Sequence, residues 1–544
     1  MRFFSKRRKI SKKGCLSWEK GLICICYDAY AFLLLLNKPL GAYSMHHSTT
    51  CRRSMCNAAM FYTMMIFSSQ ITFVSCAHCQ TNPSKGADMI MESDRTTRHA
   101  KAFLALDSIN PHYFLFRGEP TILITSGEHY GAVLNLDFDY HKYLETLHKD
   151  GLNLTRTWSG SYREIQSSFG ITDNTLAPLP NRYICPWRRS DTPGYSDGGN
   201  KFDLTQWDPS YFKRLKDFMS VASKYGVVVE LNLFCPNYDD ALWKANPMYV
   251  GNNINGVGDC PDNEVYTLLH PDLLKVQDAM VRKIVEELKD YDNLYYEVCN
   301  EPYFGGVTMD WQRHIVSVIE DAEKSFPQKH LISMNIANGK EQITDPVSGV
   351  SIFNFHYATP PDTVGMNYGL DKVIGENETG FRGKDDSLYR TEGWEFILAG
   401  GGLYNNLDYS FTCAHPDGTF LDYKSPGGGS PILRQELKIL KDFIYAFDFI
   451  HMKPDNEVVT GGVPDGARVH VLAKPGSQYA IYILGGTHAV LQLALPAGKY
   501  EAKWLDTKTG KWVKSVSVQS DGGVVALSSP DYTEDIALSV RASR

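Results

Sequence analysis

The feature that most constrains this chain is an eightfold alternation of apolar runs and amphipathic stripes from about residue 108 to residue 450. The runs Thr121–Ser126, Leu152–Trp158, Val227–Phe234, Leu294–Cys299, His330–Asn335, Ile352–Tyr357, Lys372–Gly375 and Tyr404–Phe411 are predicted to be strands. Val227–Phe234 is almost continuously apolar, as expected of a parallel strand covered on both faces. Between the runs, helical spacing recurs. Tyr140, Tyr143, Leu144 and Leu147 fall at i, i+3, i+4, i+7, with Asp139 as a cap and Gly151 as a stop. Asp208-Pro209 opens a second helix that buries Tyr211, Leu215, Phe218 and Ala222. Further stripes follow at 272–289, at Trp311–Ala322 and at 431–449. Eight such strand–helix units predict an α/β chain of the (β/α)8 TIM-barrel class with long loops. An open doubly wound sheet is the alternative. It would ordinarily carry a glycine-rich phosphate loop, and neither GxGxxG nor a P-loop occurs.

Beyond about residue 455 the period changes. Short alternating runs are broken by Pro475-Gly476, Gly485-Gly486 and Pro496-Ala497-Gly498, which predicts a small all-β sandwich. The expected division is a leader over 1–104, a barrel over 105–452 and a sandwich over 453–544.

Charge is uneven. Residues 1–100 carry a net +9 and the whole chain −7, which leaves −16 on the remainder. So acidic a body does not suit nucleic-acid binding through phosphate neutralisation. Arg52 and Arg53 precede an apolar stretch, Met55 to Val74, that ends in Ser75-Cys76. This is the pattern of a secretory signal. The expected location is extracytoplasmic or secreted. Phe73-Val74-Ser75-Cys76 is similar to a lipoprotein cleavage box, so a lipid anchor is a second route, and a single membrane span a third. Contact with a membrane is expected only through this leader. Of 12 cysteines only Cys185, Cys235, Cys260, Cys299 and Cys413 lie in the body. They contain no CxxC pair, which argues against a structural zinc site. An exported body has cysteines enough for one or two pairs, and the odd count leaves at least one free thiol, expected to be Cys299, buried within its strand.

Chemistry is concentrated at the strand ends. Leu294–Cys299 stops at Asn300-Glu301-Pro302, because proline cannot continue a central strand. Glu301 is thereby expected at a carboxyl end, where parallel barrels carry their active groups. A second carboxylate follows in Val373-Ile-Gly-Glu-Asn-Glu-Thr-Gly380, as Glu378 or Glu376. Strict alternation puts both on one face. Paired carboxylates on two strand ends are what cleavage of a glycosidic bond requires.

On these residues the stretch 108–450 resembles the clan of retaining glycoside hydrolases that includes the cellulase-like family five. The resemblance implies that Glu301, after Asn300, is the general acid/base and Glu378 the nucleophile, with Glu376 the alternative. It implies that Arg156, at the end of strand two, braces the nucleophile and that His356 and Tyr357 touch substrate. Asn300 would bond the sugar's 2-hydroxyl. The C-terminal part, with Trp504-Leu-Asp-Thr-Lys-Thr-Gly510, resembles a β-domain labelled collagen-binding that is appended to several such barrels.

The expected partner is a poly- or oligosaccharide, with neither metal nor cofactor. The charge of the second carboxylate is expected to raise the pKa of Glu301 and keep it an acid. Trp158, Glu128 and His129 are further candidates for substrate contact. Trp187, Trp243 and Tyr303 can stack on sugars or pack loops. The competing reading is a non-catalytic carbohydrate-binding or adhesion protein on the same scaffold.

Overall fold

A computed structural model describes residues 102–543. The signal-like stretch and its cysteines lie outside the described residues. The folded body starts before residue 105, since Leu104 is buried and its N–H donates to the Asp292 carbonyl.

Eight parallel strands form the barrel: β1 (Leu123–Gly127), β2 (Leu154–Trp158), β3 (Val228–Phe234), β4 (Leu294–Cys299), β5 (Leu331–Asn338), β6 (Ile352–His356), β7 (Val373–Glu378) and β8 (Leu403–Leu407). Their order around the sheet is β1-β8-β7-β6-β5-β4-β3-β2. The remaining seam, between β1 and β2, is closed by Asn153. Its side chain accepts from Ile124 N at 2.9 Å and donates to Ile122 O at 2.9 Å. The (β/α)8 class is therefore observed rather than the open sheet.

The outer helices are α1 (Tyr140–Lys149), α2 (Pro209–Tyr225), α3 (Pro271–Leu288), α4 (Met309–Ala322), α5 (Asp362–Asn367), α6 (Asp386–Leu398) and α7 (Pro431–Tyr445). Their ends follow the local chemistry of the chain. Asp139 and Asp208 cap α1 and α2, and Gly226 ends α2 at φ 71°. One expectation fails here: the fifth unit has no helix, and residues 339–351 run irregularly from β5 to β6. The connection from β2 to α2, residues 159–208, carries a 3-10 turn at Ser168–Gly170 and a hairpin, Trp187–Pro193 with Asn200–Trp207.

The C-terminal strands form a six-stranded and a three-stranded antiparallel sheet. Ile481, Ile483, Leu491, Leu493, Trp504 and Leu538 fill the space between them. The six-stranded sheet is covered on both faces. Its other face, with Leu472, Ala480 and Tyr482, joins the barrel's core. Tyr482 stacks on Trp394 of α6 at 5.3 Å. Around that stack Arg390 bonds Asp535 and Arg468 clasps Glu395 through Nε and Nη2. All five body cysteines are free thiols, and Cys299 is buried as expected.

Candidate active site

The candidate site is built around Arg156. The sequence suggested an end position on β2, but Arg156 lies mid-strand with its side chain wholly inside the barrel. Its Nε donates to Glu230 Oε1 at 2.7 Å and its Nη1 to Glu378 Oε2 at 2.8 Å. Its Nη2 meets Glu297 and donates to Asn300 Oδ1 at 2.8 Å. Burial alone would lower the guanidinium's pKa, but the charges of Glu297, Glu230 and Glu378 raise it well above its ordinary value. Arg156 is a fixed cation that holds one oxygen of Glu378. Asn300 is turned toward this cation and toward Tyr238, to which its Nδ2 donates at 2.9 Å.

Glu378 ends β7 and Glu301 follows β4, and both are almost wholly buried. Carboxylate oxygens of the two lie within 4.8 Å of each other, with His356 Nδ1 in the same cluster. His356 Nδ1 stands 3.2 Å from Glu301 Oε1 and 3.7 Å from Glu378 Oε1. The Tyr357 hydroxyl donates to Glu378 Oε1 at 3.2 Å. On the other carboxylate, Tyr238 donates to Glu301 Oε2 at 2.6 Å and Tyr303 to Oε1 at 3.3 Å. Glu301 and Tyr357 have φ of 36° and 52°, backbone in which L residues are strained. Strain of this kind persists where the surrounding bonds over-determine a side chain's position.

Glu376 does not share this face. β7 carries a bulge: Phe355 pairs with Glu376, but the next partner, His356, pairs with Glu378. The extra residue, Asn377, turns inward and donates to Glu230 and Glu297, each at 2.7 Å. Alternation fails because two successive side chains point into the barrel. Glu376 instead accepts from Ala358 N at 2.7 Å and lies against Glu392 of α6. Burial and the charge of Glu392 raise its pKa well above the usual range.

The expected rise in the pKa of Glu301 is also corrected. Burial, the largest influence, pushes it up, but the hydrogen bonds and charge of His356 with the hydroxyls of Tyr238 and Tyr303 outweigh burial. The net shift is downward. Sequence reasoning could not see this balance, because Tyr238 lies on a different loop from Glu301.

Other candidates divide. Trp158 ends β2, is 4% exposed and stacks on Tyr130, whose ring lies under Arg156. His129 stacks between Tyr130 and Tyr409. Glu128 is no substrate contact. Both its oxygens are used, by Gly131 N, Ala132 N and the Thr175 hydroxyl. It braces the turn after β1, and burial raises its pKa to about 7. Trp187 and Trp243 pack loops in the core, and Tyr303 borders Glu301.

Glu230 and Glu297 escaped the sequence reading. Their signal was a charge inside otherwise apolar runs, Val-Val-Val-Glu230-Leu and Tyr-Tyr-Glu297-Val. A charge there needs a buried partner, and Arg156 is that partner. The grouping of Glu301, His356 and Glu378 has ligand atoms close enough to share a cation. The guanidinium 2.8 Å from Glu378 opposes a second positive charge at that point.

No family model matches the chain, and no curated protein sequence matches it significantly. Solved structures do match. A protein of Bacteroides vulgatus ATCC 8482, provisionally described as a glycoside hydrolase, aligns over 81% of this chain and 83% of its own, with a TM-score of 0.59 at 12% identity. A glycoside hydrolase of family 5 from the same organism aligns over 81% and 94%, with 0.54 at 14%. A third structure, named only as a glycoside hydrolase, gives 81% and 97%, with 0.54 at 16%. The chain shares the fold of these proteins, in agreement with the resemblance its motifs carried.

Proposed function

We propose that the protein is a glycosidase that cleaves O-glycosidic bonds with retention, through Glu301 and Glu378. The observation that carries this reading is the approach of the two carboxylates to within 4.8 Å. Retaining enzymes hold their carboxyls about 5–5.5 Å apart, and inverting enzymes about 6.5–9.5 Å, to admit a water.

Glu378, ionised and fixed by Arg156, attacks the anomeric carbon. Glu301 gives its proton to the departing oxygen. His356 Nδ1, 3.2 Å from Glu301 Oε1, adjoins that acid and lowers its hold on the proton. Once Glu378 has become an ester its charge is gone. Glu301 is then a weaker holder of protons and serves as the base that activates water. The fold shared with family 5 glycoside hydrolases supports the same reading. The leader pattern at 52–76 supports export of the protein. The mature N-terminus, read by mass spectrometry from the producing cell, tests that part.

The test of the chemistry is a panel of aryl glycosides and polysaccharides. Glu301→Gln and Glu378→Gln are each expected to lower turnover by at least roughly 10²–10⁴-fold on any active substrate. NMR of the first product anomer should show retained configuration. Inverted product, or unimpaired turnover in either variant, refutes the assignment. Sugar binding without turnover on every arm favours the non-catalytic reading instead.

A further inference from the structure

The catalytic pair is flanked on the nucleophile's side by polar groups that the double displacement does not use. His129 is 8% exposed and Tyr409 2% exposed. Both ring nitrogens of His129, the Tyr409 hydroxyl and Trp158 Nε1 are buried and have no hydrogen-bond partner among the described residues. Each such group costs roughly 1–3 kcal/mol if left unmet, so a cluster of them marks a place where a polar ligand belongs. Glu378 exerts the strongest charge on Tyr409, and Glu164 is also close enough to act on it. Glu164 Oε1 lies 3.8 Å from His129 Nε2. That gap is too long for a direct bond, yet one hydroxyl can bridge it by donating to the carboxylate and accepting from the ring.

A roof covers the same region. Phe169, at the tip of the loop after β2, lies 5.2 Å from Tyr238 on the Glu301 side and 6.5 Å from Phe381. Phe381 in turn borders Tyr357 and Tyr409, at 6.3 and 6.4 Å. The loop is fastened across the mouth by Thr172, whose N–H donates to the Ser425 hydroxyl and whose own hydroxyl accepts from Lys424 N.

We infer that His129, Glu164, Trp158 and Tyr409 form a blind pocket for one uncharged terminal sugar, closed by Phe169, and that the protein removes sugars from chain ends. The inference rests on the glycosidase reading above and specifies its substrate. The acid serves the leaving group, so the aglycone lies toward Glu301 and the glycone toward Glu378. The unpartnered groups stand on the glycone side. Glu164 and Glu378 both act on Tyr409 as negative charges, so that side is acidic, which disfavours a uronic acid.

The test uses 4-nitrophenyl monoglycosides, neutral and uronic, together with reduced oligosaccharides of any sugar that proves active. Neutral monoglycosides should be cleaved, and oligosaccharides shortened one unit at a time from the non-reducing end. His129→Ala and Tyr409→Phe should each raise KM about tenfold with kcat changed less than about threefold. Phe169→Ala should introduce cuts at internal bonds. Internal cleavage by the unaltered protein, or KM unchanged in Tyr409→Phe, overturns the pocket while leaving the glycosidase reading intact. Absence of turnover on every arm overturns the glycosidase reading and the pocket with it.

Discussion

At Glu301 two influences oppose each other. Burial favours the neutral acid, and His356 with two tyrosine hydroxyls favours the anion. Removing His356 should leave burial in control. In His356→Asn the alkaline limb of the kcat/KM profile is therefore expected at higher pH, even if the rate itself falls. A limb that stays or moves down contradicts this balance at Glu301. Glu230 is the complementary case. Burial and the charge of Glu297 push it up to about 8 against the pull of Arg156. Its folded value thus lies above the unfolded value of roughly 4.3. The stability it contributes is present in full below that unfolded value and is lost as pH rises through about 8. Glu230→Gln mimics the protonated form. Denaturant titrations should show the unaltered protein losing up to about 1.4 kcal/mol per pH unit relative to the variant between roughly pH 5 and 8.

At the scale of elements, β7 decides which glutamate faces the sugar. A regular strand would put Glu376 and Glu378 side by side, and the bulge at Asn377 sends Glu376 to α6 instead. The sequence carried both glutamates but no mark of the bulge, since the inward turn of Asn377 depends on Glu230 and Glu297 from two other strands. β4 was legible to the residue because Asn293 and the Asn300-Glu301-Pro302 stop bracket a run that is apolar but for Glu297. The fifth helix was expected from the barrel's rhythm alone, with no apolar stripe of its own behind it, and it is absent. The loop after β2 was visible as a long connection, but its fold over the site depends on hydrogen bonds to residues 424 and 425, far along the chain. Pairings between distant segments leave no local pattern in sequence.

For the whole molecule, the C-terminal sheet acts as a third layer behind α6. Trp394 is wholly buried against Tyr482, and Arg390 pairs with Asp535 across the same boundary. Trp394→Ala should destabilise the protein by about 3–5 kcal/mol in chemical denaturation, without altering KM at temperatures where it stays folded. Loss of residues 453–544 should expose that face of α6 and give an aggregating barrel. A truncated barrel that stays monomeric, at full thermal stability, would show the sheet to be an appendage.

The central claim is that Glu378 forms the covalent bond to the sugar. The direct measurement is to inactivate the protein with 2-deoxy-2-fluoro glycosyl fluorides, digest it and map the added mass by tandem mass spectrometry. The account predicts one glycosyl group, on Glu378, and none in Glu378→Gln. Label on Glu376, or turnover with no trapped intermediate and inverted product, would contradict it.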